Sequence, residues 1–512
     1  MIDLQVVALC VTAALAIGVF LRQRRRSLPP GPKGIPVLGN VFDIPKEFEW
    51  IAYDRWSREY RSDVIYLNLA GTPVVVVNSA QAAHELFEKR SLLYSDRVRL
   101  PMLNELVGCN WHFLFMDYGD DWRERRRVFH QFFHSNASVG YRPRELKVAR
   151  ELLSRLLESP DDFMTHLRHM AGSLILGVTY GIDVQPSNDP YIATAETALH
   201  AISMAGNAGA YLVDYIPILK YVPSWFPGAA FKRQAAEWKK ATDAMLERPF
   251  KAVTQAMAEG KAHPSMIASL LTELKEDEDK DRKEKVFSGV AAAAYTGGSD
   301  TTVSALGSFF LAMLLYPDIQ RKAQIEVDRV VGRDRLPDFS DEPSLPYVTA
   351  LVKEVLRWRP VTPLAVPHRL TSDDVYNGYH LPSGSIVVGN VWAILHDERT
   401  FPDPEAFVPE RWLNEDGSLR SDMRDAELAA FGFGRRICPG RYMAVASVWI
   451  GIASVLSTFD LLKPRDANGH IIEPSGDYYS GLVTYPKPFR CAFKPRSEST
   501  VELIHNGLQE SD

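Results

Sequence analysis

One ten-residue stretch leaves this chain few ways to arrange itself. Residues 431–440 read Phe-Gly-Phe-Gly-Arg-Arg-Ile-Cys-Pro-Gly, so Phe431, Gly434, Arg436, Cys438 and Gly440 fall at the spacing F-x-x-G-x-R-x-C-x-G. The glycines let the backbone pass close to a flat ligand and point its amides at the sulfur. Arg436 brings a positive charge two residues before the thiol, which favours the thiolate and can pair with a carboxylate on a cofactor. Pro439 suits the first turn of a helix, and the run from Arg441 to Leu456 is apolar enough to be that helix. Most lone intracellular cysteines are inert buried thiols. Five fixed positions at about 1 in 20 each, however, match by chance in about one chain in several thousand. A thiolate held in a glycine-bracketed loop at a helix N-terminus is fit to bind haem iron axially.

Composition adds mainly exclusions. The chain has 512 residues, 46% hydrophobic and 24% charged, as a globular protein does. No linker or composition break interrupts residues 41–490, so one large domain is the simplest reading. A net charge of −6 carries no nucleic-acid footprint. Cys10, Cys109, Cys438 and Cys491 lie far apart with no C-x-x-C pair, which indicates neither a disulfide framework nor a zinc site.

Residues 4–21 are almost wholly apolar and precede Arg22-Gln-Arg-Arg-Arg26. As a helix they span about 27 Å, enough for a bilayer core. A cleaved signal peptide carries its charge before the apolar run and small residues after it. Here arginines follow, so an uncleaved anchor with a cytoplasmic basic flank is expected. Residues 27–40 hold four prolines and read as a stiff extended spacer. A hairpin is expected over 63–78 and a helix over 80–90. Residues 119–134 read as a helix that places Trp122, Arg126 and Phe129 on one face and Arg123 and Arg127 on another. The aromatic, proline-rich stretch 200–228 suits either a bilayer interface or a packed core. The charged run 273–285 reads as a solvated connection.

A long apolar helix is expected from about Val286 to Leu315, interrupted by Thr296-Gly-Gly-Ser-Asp-Thr-Thr302. Two glycines inside a helix cost about 1 kcal/mol each relative to alanine. Packing can tolerate such a defect. Glycines also let a helix run over a cofactor face, with a loosened hydrogen-bond ladder making room for a bound diatomic and Asp300 and Thr301 passing protons to it. Glu354 and Arg357 stand at ion-pair spacing on a helix over 347–359. Strands are expected at 375–378 and 386–391, a hairpin turn at 477–486, and a disordered polar tail at 496–512.

These segments resemble the cytochrome P450 family in order over residues 29–491: the Pro-rich hinge, W-x-x-x-R at Trp122 and Arg126, G-G-x-D-T from Gly297 to Thr301, E-x-x-R with Pro409-Glu-Arg411, and the Cys438 loop. The resemblance implies a mainly α fold with small β regions behind an N-terminal single transmembrane helix. The implied divisions are an anchor at 1–21, a basic flank and hinge at 22–40, a haem domain at 41–495 and a tail at 496–512. It implies haem b, with Cys438 as its metal ligand and Arg436, Trp122, Arg126, Arg97, Phe431, Gly432, Gly440, Ala294 and Gly298 around it. One of His368 and Arg369, with His368 preferred, is expected to reach a propionate. Arg411 is expected to join Glu354 and Arg357 in a buried triad, and Trp412, where the family more often has Phe, is expected to be harmless. Thr301 and Asp300 become the catalytic pair that delivers protons for O₂ activation. Electrons are expected from NADPH through a separate cytochrome P450 reductase, with cytochrome b5 as a further donor, docking at Arg123 and Arg127. The location implied is the endoplasmic reticulum membrane, with the catalytic domain cytoplasmic. Residues 98–115, 205–215, Ala293, Ala294, Ser299, 362–366 and 479–484 are expected to line a mainly apolar substrate chamber. The texture resembles fungal, mushroom-type members that oxidise terpenoids, indoles or aromatics. An enzyme that rearranges or dehydrates without O₂, and a haem protein that only senses a ligand, are the rival classes.

Overall fold

The computed structural model describes residues 27–206, 211–275 and 279–509. The expected anchor and its basic flank, Arg22 to Arg26, lie outside these residues. Helices dominate: α1 (Glu49–Tyr60), α2 (Asp120–Phe133), α3 (Arg142–Glu158), α4 (Phe163–Tyr180), α5 (Pro190–Gly206), α6 (Ala230–Ala258), α7 (Lys280–Leu315), α8 (Pro317–Val330), α9 (Pro346–Trp358), α10 (Arg441–Thr458) and α11 (Glu498–Gln509). Among the described residues two helices, α7 and α10, are long and apolar enough to cross a membrane. Both are mostly buried in the protein, which is why they are apolar on every side.

Strands β1 (Val64–Leu69) and β2 (Thr72–Val77) form the expected hairpin, closed by Ala70 and Gly71 at positive φ. Strand β3 (Asp96–Arg97), β4 (His368–Arg369), the small hairpin β5 (Asp374–Tyr376) and β6 (Tyr379–Leu381), and β7 (Ile386–Gly389) follow. They build one sheet in the order β1-β2-β7-β4-β3, with β5 and β6 paired separately. The pairing of β3 with β4 sets Arg97 opposite His368. A second β region holds β8 (Phe459–Leu462), β9 (Tyr478–Tyr479), β10 (Tyr485–Pro486) and β11 (Ala492–Pro495).

Helix α7 is the axis of the core. It is mostly buried from Val286 to Leu314, apart from the stretch around Gly297 to Thr301, and packs on α2, α4 and α10. Burying each of its large apolar side chains is worth about 1.5–3 kcal/mol. Helix α4 comes so close that a Cβ on Gly298 would stand 2.9 Å from Cγ1 of Ile175. That packing offsets the intrinsic cost of a glycine inside the helix.

Several expectations need correction. Helix α7 starts at Lys280, six residues before Val286, because the Asp279 carboxylate caps it by accepting from the Arg282 amide at 3.1 Å. The end of the charged run is therefore helix, and Arg282 and Lys283 dock on Glu124 of α2. The ladder of α7 stays α-helical through the glycines rather than opening. The segment 80–90 widens into a π-helical turn at His84–Lys89. The Pro-rich segment is no free spacer: the Tyr66 amide donates to the Pro30 carbonyl at 3.0 Å, and Asn40 and Asn68 bond each other, so it lies along the edge of β1. In 200–228, Ile218, Tyr221 and Trp225 are exposed rather than packed. The tail, read as disordered, forms α11 with Ile504 fully buried.

Candidate active site

The cysteine loop is held from both sides. The Cys438 amide donates to the Phe431 carbonyl at 2.8 Å. Gly434 has φ 54°, its amide donates to Glu88 at 2.7 Å, and a Cβ there would lie 2.1 Å from the Phe87 carbonyl oxygen. No other residue fits that approach. Phe433 stacks on Phe87 with centroids 5.2 Å apart. The Arg436 guanidinium donates to the carbonyls of Ser95 (2.7 Å), Met116 (2.7 Å) and Phe113 (3.2 Å), tying the loop to the segment beyond β3. From α2, Arg126 donates to the Ile437 carbonyl at 2.6 Å. Gly440 is the N-cap of α10.

Cys438 faces a cavity of about 310 Å³ between this loop and α7. Cys109 and Cys491 are buried elsewhere. Burial raises the Cys438 thiol above its ordinary range, while the Gly440 amide, Arg126 and Arg441 pull it down. Arg436 gives its hydrogen bonds to the Ser95, Phe113 and Met116 carbonyls. Its charge serves the cavity wall.

Four cationic or protonatable groups meet in that wall: Arg97, Arg126, Arg436 and His368. Burial, and then Arg436, hold Arg97 well below the usual arginine range. Arg126 and Arg436 are both lowered to about 10, chiefly by burial. Arg97 is 3% exposed and donates to the carbonyls of Leu114 (2.9 Å) and Pro367 (3.0 Å). His368 Nδ1 lies 2.6 Å from the Tyr94 carbonyl and so carries a hydrogen. The neutral ring then has only a lone pair at Nε2, so it would have to be protonated to donate to a carboxylate. Burial, Arg97 and Arg436 depress its pKa, and an anion in the cavity would reverse that. Arg369 is committed to Asp96 and does not line the cavity, so His368 is the one that faces it. The cluster suits a ligand with carboxylates at one edge, and the glycine-bracketed thiol suits metal bound at its centre. The residues present therefore fit haem. Trp122, with Arg436 4.4 Å from its ring centroid, Phe431, Gly432, Gly440 and Ala294 all line the same cavity.

On the opposite wall, α7 presents Ala293, Ala294, Gly297, Asp300 and Thr301. Gly297 has open space where a side chain would be. Gly298 reaches the cavity too, but its missing side chain is required by Ile175. The Thr301 hydroxyl donates to the Gly297 carbonyl at 2.8 Å. Asp300 is raised by burial, against the opposing pull of Tyr485 and Arg168.

Sequence reasoning misplaced part of the chamber. Leu199, Ile202 and Ser203 of α5 line the cavity, whereas the described residues 205, 206 and 211–215 do not. Ser299 turns away to bond the Tyr295 carbonyl. Met170, Ala171, Leu174 and Ile175 of α4 were not foreseen. A helix buried all round carries no periodic mark of which face meets a ligand.

A family model described as cytochrome P450 matches residues 29–493. Similar proteins include cytochrome P450 monooxygenase 98 of Postia placenta, 46% identical over 497 residues (96% of this chain, 95% of that one). Tryptamine 4-monooxygenase of Psilocybe cyanescens is 41% identical over 486 residues (94% and 96%). Cytochrome P450 monooxygenase COX2 of Coprinopsis cinerea is 41% identical over 504 residues (98% and 95%). All three organisms are basidiomycete fungi, the group that the sequence texture resembled.

Proposed function

The chain belongs to the cytochrome P450 family and is a monooxygenase of it, and we propose that it inserts one atom of O₂ into a small lipophilic molecule of fungal secondary metabolism, a terpenoid, indole or aromatic compound. One observation carries this reading: the Cys438 thiol faces the same apolar-walled cavity as Thr301 and Asp300. Haem, in the form of haem b, supplies the binding and activation of O₂ when ligated by a thiolate. The chain does the rest. Arg97, Arg126, Arg436 and His368 would hold the propionates, and the Gly440 amide, Arg126 and Arg441 favour the thiolate at Sγ of Cys438. Gly297 leaves open space in the α7 wall of the cavity. Thr301 Oγ1 and the Asp300 carboxyl hold and pass protons beside it. Phe115, Leu199, Ile202 and Leu482 keep the chamber dry and hold the substrate.

Electrons come from NADPH through a separate cytochrome P450 reductase, with cytochrome b5 as a further donor. Arg123 and Arg127 are exposed on α2, whose opposite face is buried, and offer a basic docking face. Residues 4–21 anchor the chain in the endoplasmic reticulum membrane with the catalytic domain in the cytoplasm. The exposed apolar side chains of Val37, Phe42, Ile218, Tyr221 and Trp225 favour a lipid-facing surface.

The test is turnover of a panel of terpenes, indoles and aromatics with reductase, NADPH and ¹⁸O₂. A product carrying one ¹⁸O atom is expected. Turnover without O₂ would assign an isomerase or dehydratase, and spectral binding without turnover a sensor; either rejects the reading.

A further inference from the structure

His112 follows the short turn Cys109–Trp111 and is 4% exposed in the cavity wall. Its ring stacks on Trp111, with centroids 5.2 Å apart at 22°, and Phe115 meets it edge-on at 5.2 Å. The Leu114 amide donates to its Nδ1 at 3.2 Å. The lone pair is therefore at Nδ1, and in the neutral ring the hydrogen is on Nε2. That Nε2 is buried and has no hydrogen-bond partner among the described residues. Native proteins rarely leave a buried donor unmade unless something else meets it.

Arg436 and Arg97, which hold the carbonyls of the next two residues, Phe113 and Leu114, would already supply the propionates with donors. At His368, Arg97 and Arg436 both act on the ring, as befits a member of the cationic cluster. At His112 no charged group acts. Burial alone lowers it, to about 3, and it stays neutral at any working pH. The neighbouring Trp111 carbonyl abuts α7 at Gly289, 3.1 Å from where a Cβ would stand. Gly289 precedes Thr301 by three turns of helix, about 18 Å. His112 follows directly on a residue that packs against α7 about three turns before Thr301.

We propose that the Nε2–H of His112 anchors an oxygen acceptor on the substrate, so that the enzyme takes an apolar molecule already bearing a carbonyl, hydroxyl or ether oxygen. This rests on the monooxygenase reading above. A protonated amine offers only donors and does not satisfy this group.

The test is spectral titration of the haem-loaded full chain with matched sesquiterpene pairs: nootkatone against valencene, and cedrol against cedrene. The wild type should bind the oxygenated member about tenfold more tightly. His112→Phe should weaken the oxygenated member by about that factor and change the hydrocarbon by less than about twofold. His112→Gln, which keeps a donor, should restore part of the preference. No preference in the wild type, or a preference surviving in His112→Phe, would overturn the assignment. So would a His112→Phe protein that cannot hold haem. The reduced, carbon-monoxide-bound Soret band separates the two claims: its absence in the wild type rejects the haem–thiolate reading, whereas an intact band without oxygen preference rejects only the role of His112.

Discussion

Thr301 spends its hydroxyl hydrogen on the Gly297 carbonyl, 2.8 Å away, and keeps its oxygen lone pairs for the cavity. Removing the hydroxyl leaves the helix and the chamber wall intact. Thr301→Ala should therefore lower product formed per NADPH by roughly tenfold while NADPH consumption continues and peroxide release rises. Unchanged coupling would refute proton delivery at this position. Glu145 makes a different point. Its Oε1 accepts from Ser447 at 2.9 Å, its Oε2 has no partner among the described residues, and burial pushes the carboxyl from 4.5 up to about 8. The folded state therefore holds a proton that the unfolded state releases. Its stabilising effect is full below about pH 4.5 and fades as pH rises toward 8. Glu145→Gln should gain on the wild type by a few kcal/mol, on the order of 1.4 per pH unit, across that window and hold steady above it. A pH-independent difference in Tm would contradict this. Cys438 and Thr301 were legible because fixed spacing is a local signal. Glu145 and His112 were not, because each owes its state to side chains from elsewhere in the chain.

Helix α9 reaches the cysteine loop's support through one buried carboxylate. Glu354 accepts from Arg357 at 2.7 and 2.9 Å, from the Val408 amide at 2.8 Å and from the Trp412 indole at 3.0 Å. Arg411 joins them as an ion pair at 3.5 Å and gives its hydrogen bonds to the Pro402 and Asp403 carbonyls. Trp412 is therefore not a neutral replacement for Phe. Trp412→Phe should cost about 1–2 kcal/mol in chemical denaturation, because a buried carboxylate loses a donor. An unchanged midpoint would contradict that. The spacing of Glu354 and Arg357 was readable. The indole hydrogen bond was not, since 58 positions separate the partners. Element starts were also obscured where a cap decides them, as Asp279 does for α7.

Across the whole molecule, the last described helix closes the fold onto its first half. Ile504 of α11 is fully buried, α11 packs on α3, and a Cβ on Gly507 would meet Leu336 at 2.8 Å. Arg496 just before it bonds both oxygens of Asp328 on α8 at 2.7 Å. Average polarity hid this helix, because a single narrow apolar face suffices to dock it. Ile504→Ala should cost about 2–4 kcal/mol and lower Tm by several degrees. An unaltered Tm would show that the helix does not support the fold. The family architecture was legible because its motifs recur along nearly the entire chain. The set of cavity walls was not, because α4 and α5 reach the chamber only through tertiary packing.

All of these scales converge on the sulfur of Cys438, and its ligation is directly measurable. The carbon monoxide difference spectrum of the reduced, haem-loaded protein should show the red-shifted Soret band of thiolate-ligated haem in the wild type, and Cys438→Ser should abolish it. A variant that binds haem and keeps an identical band would contradict the account.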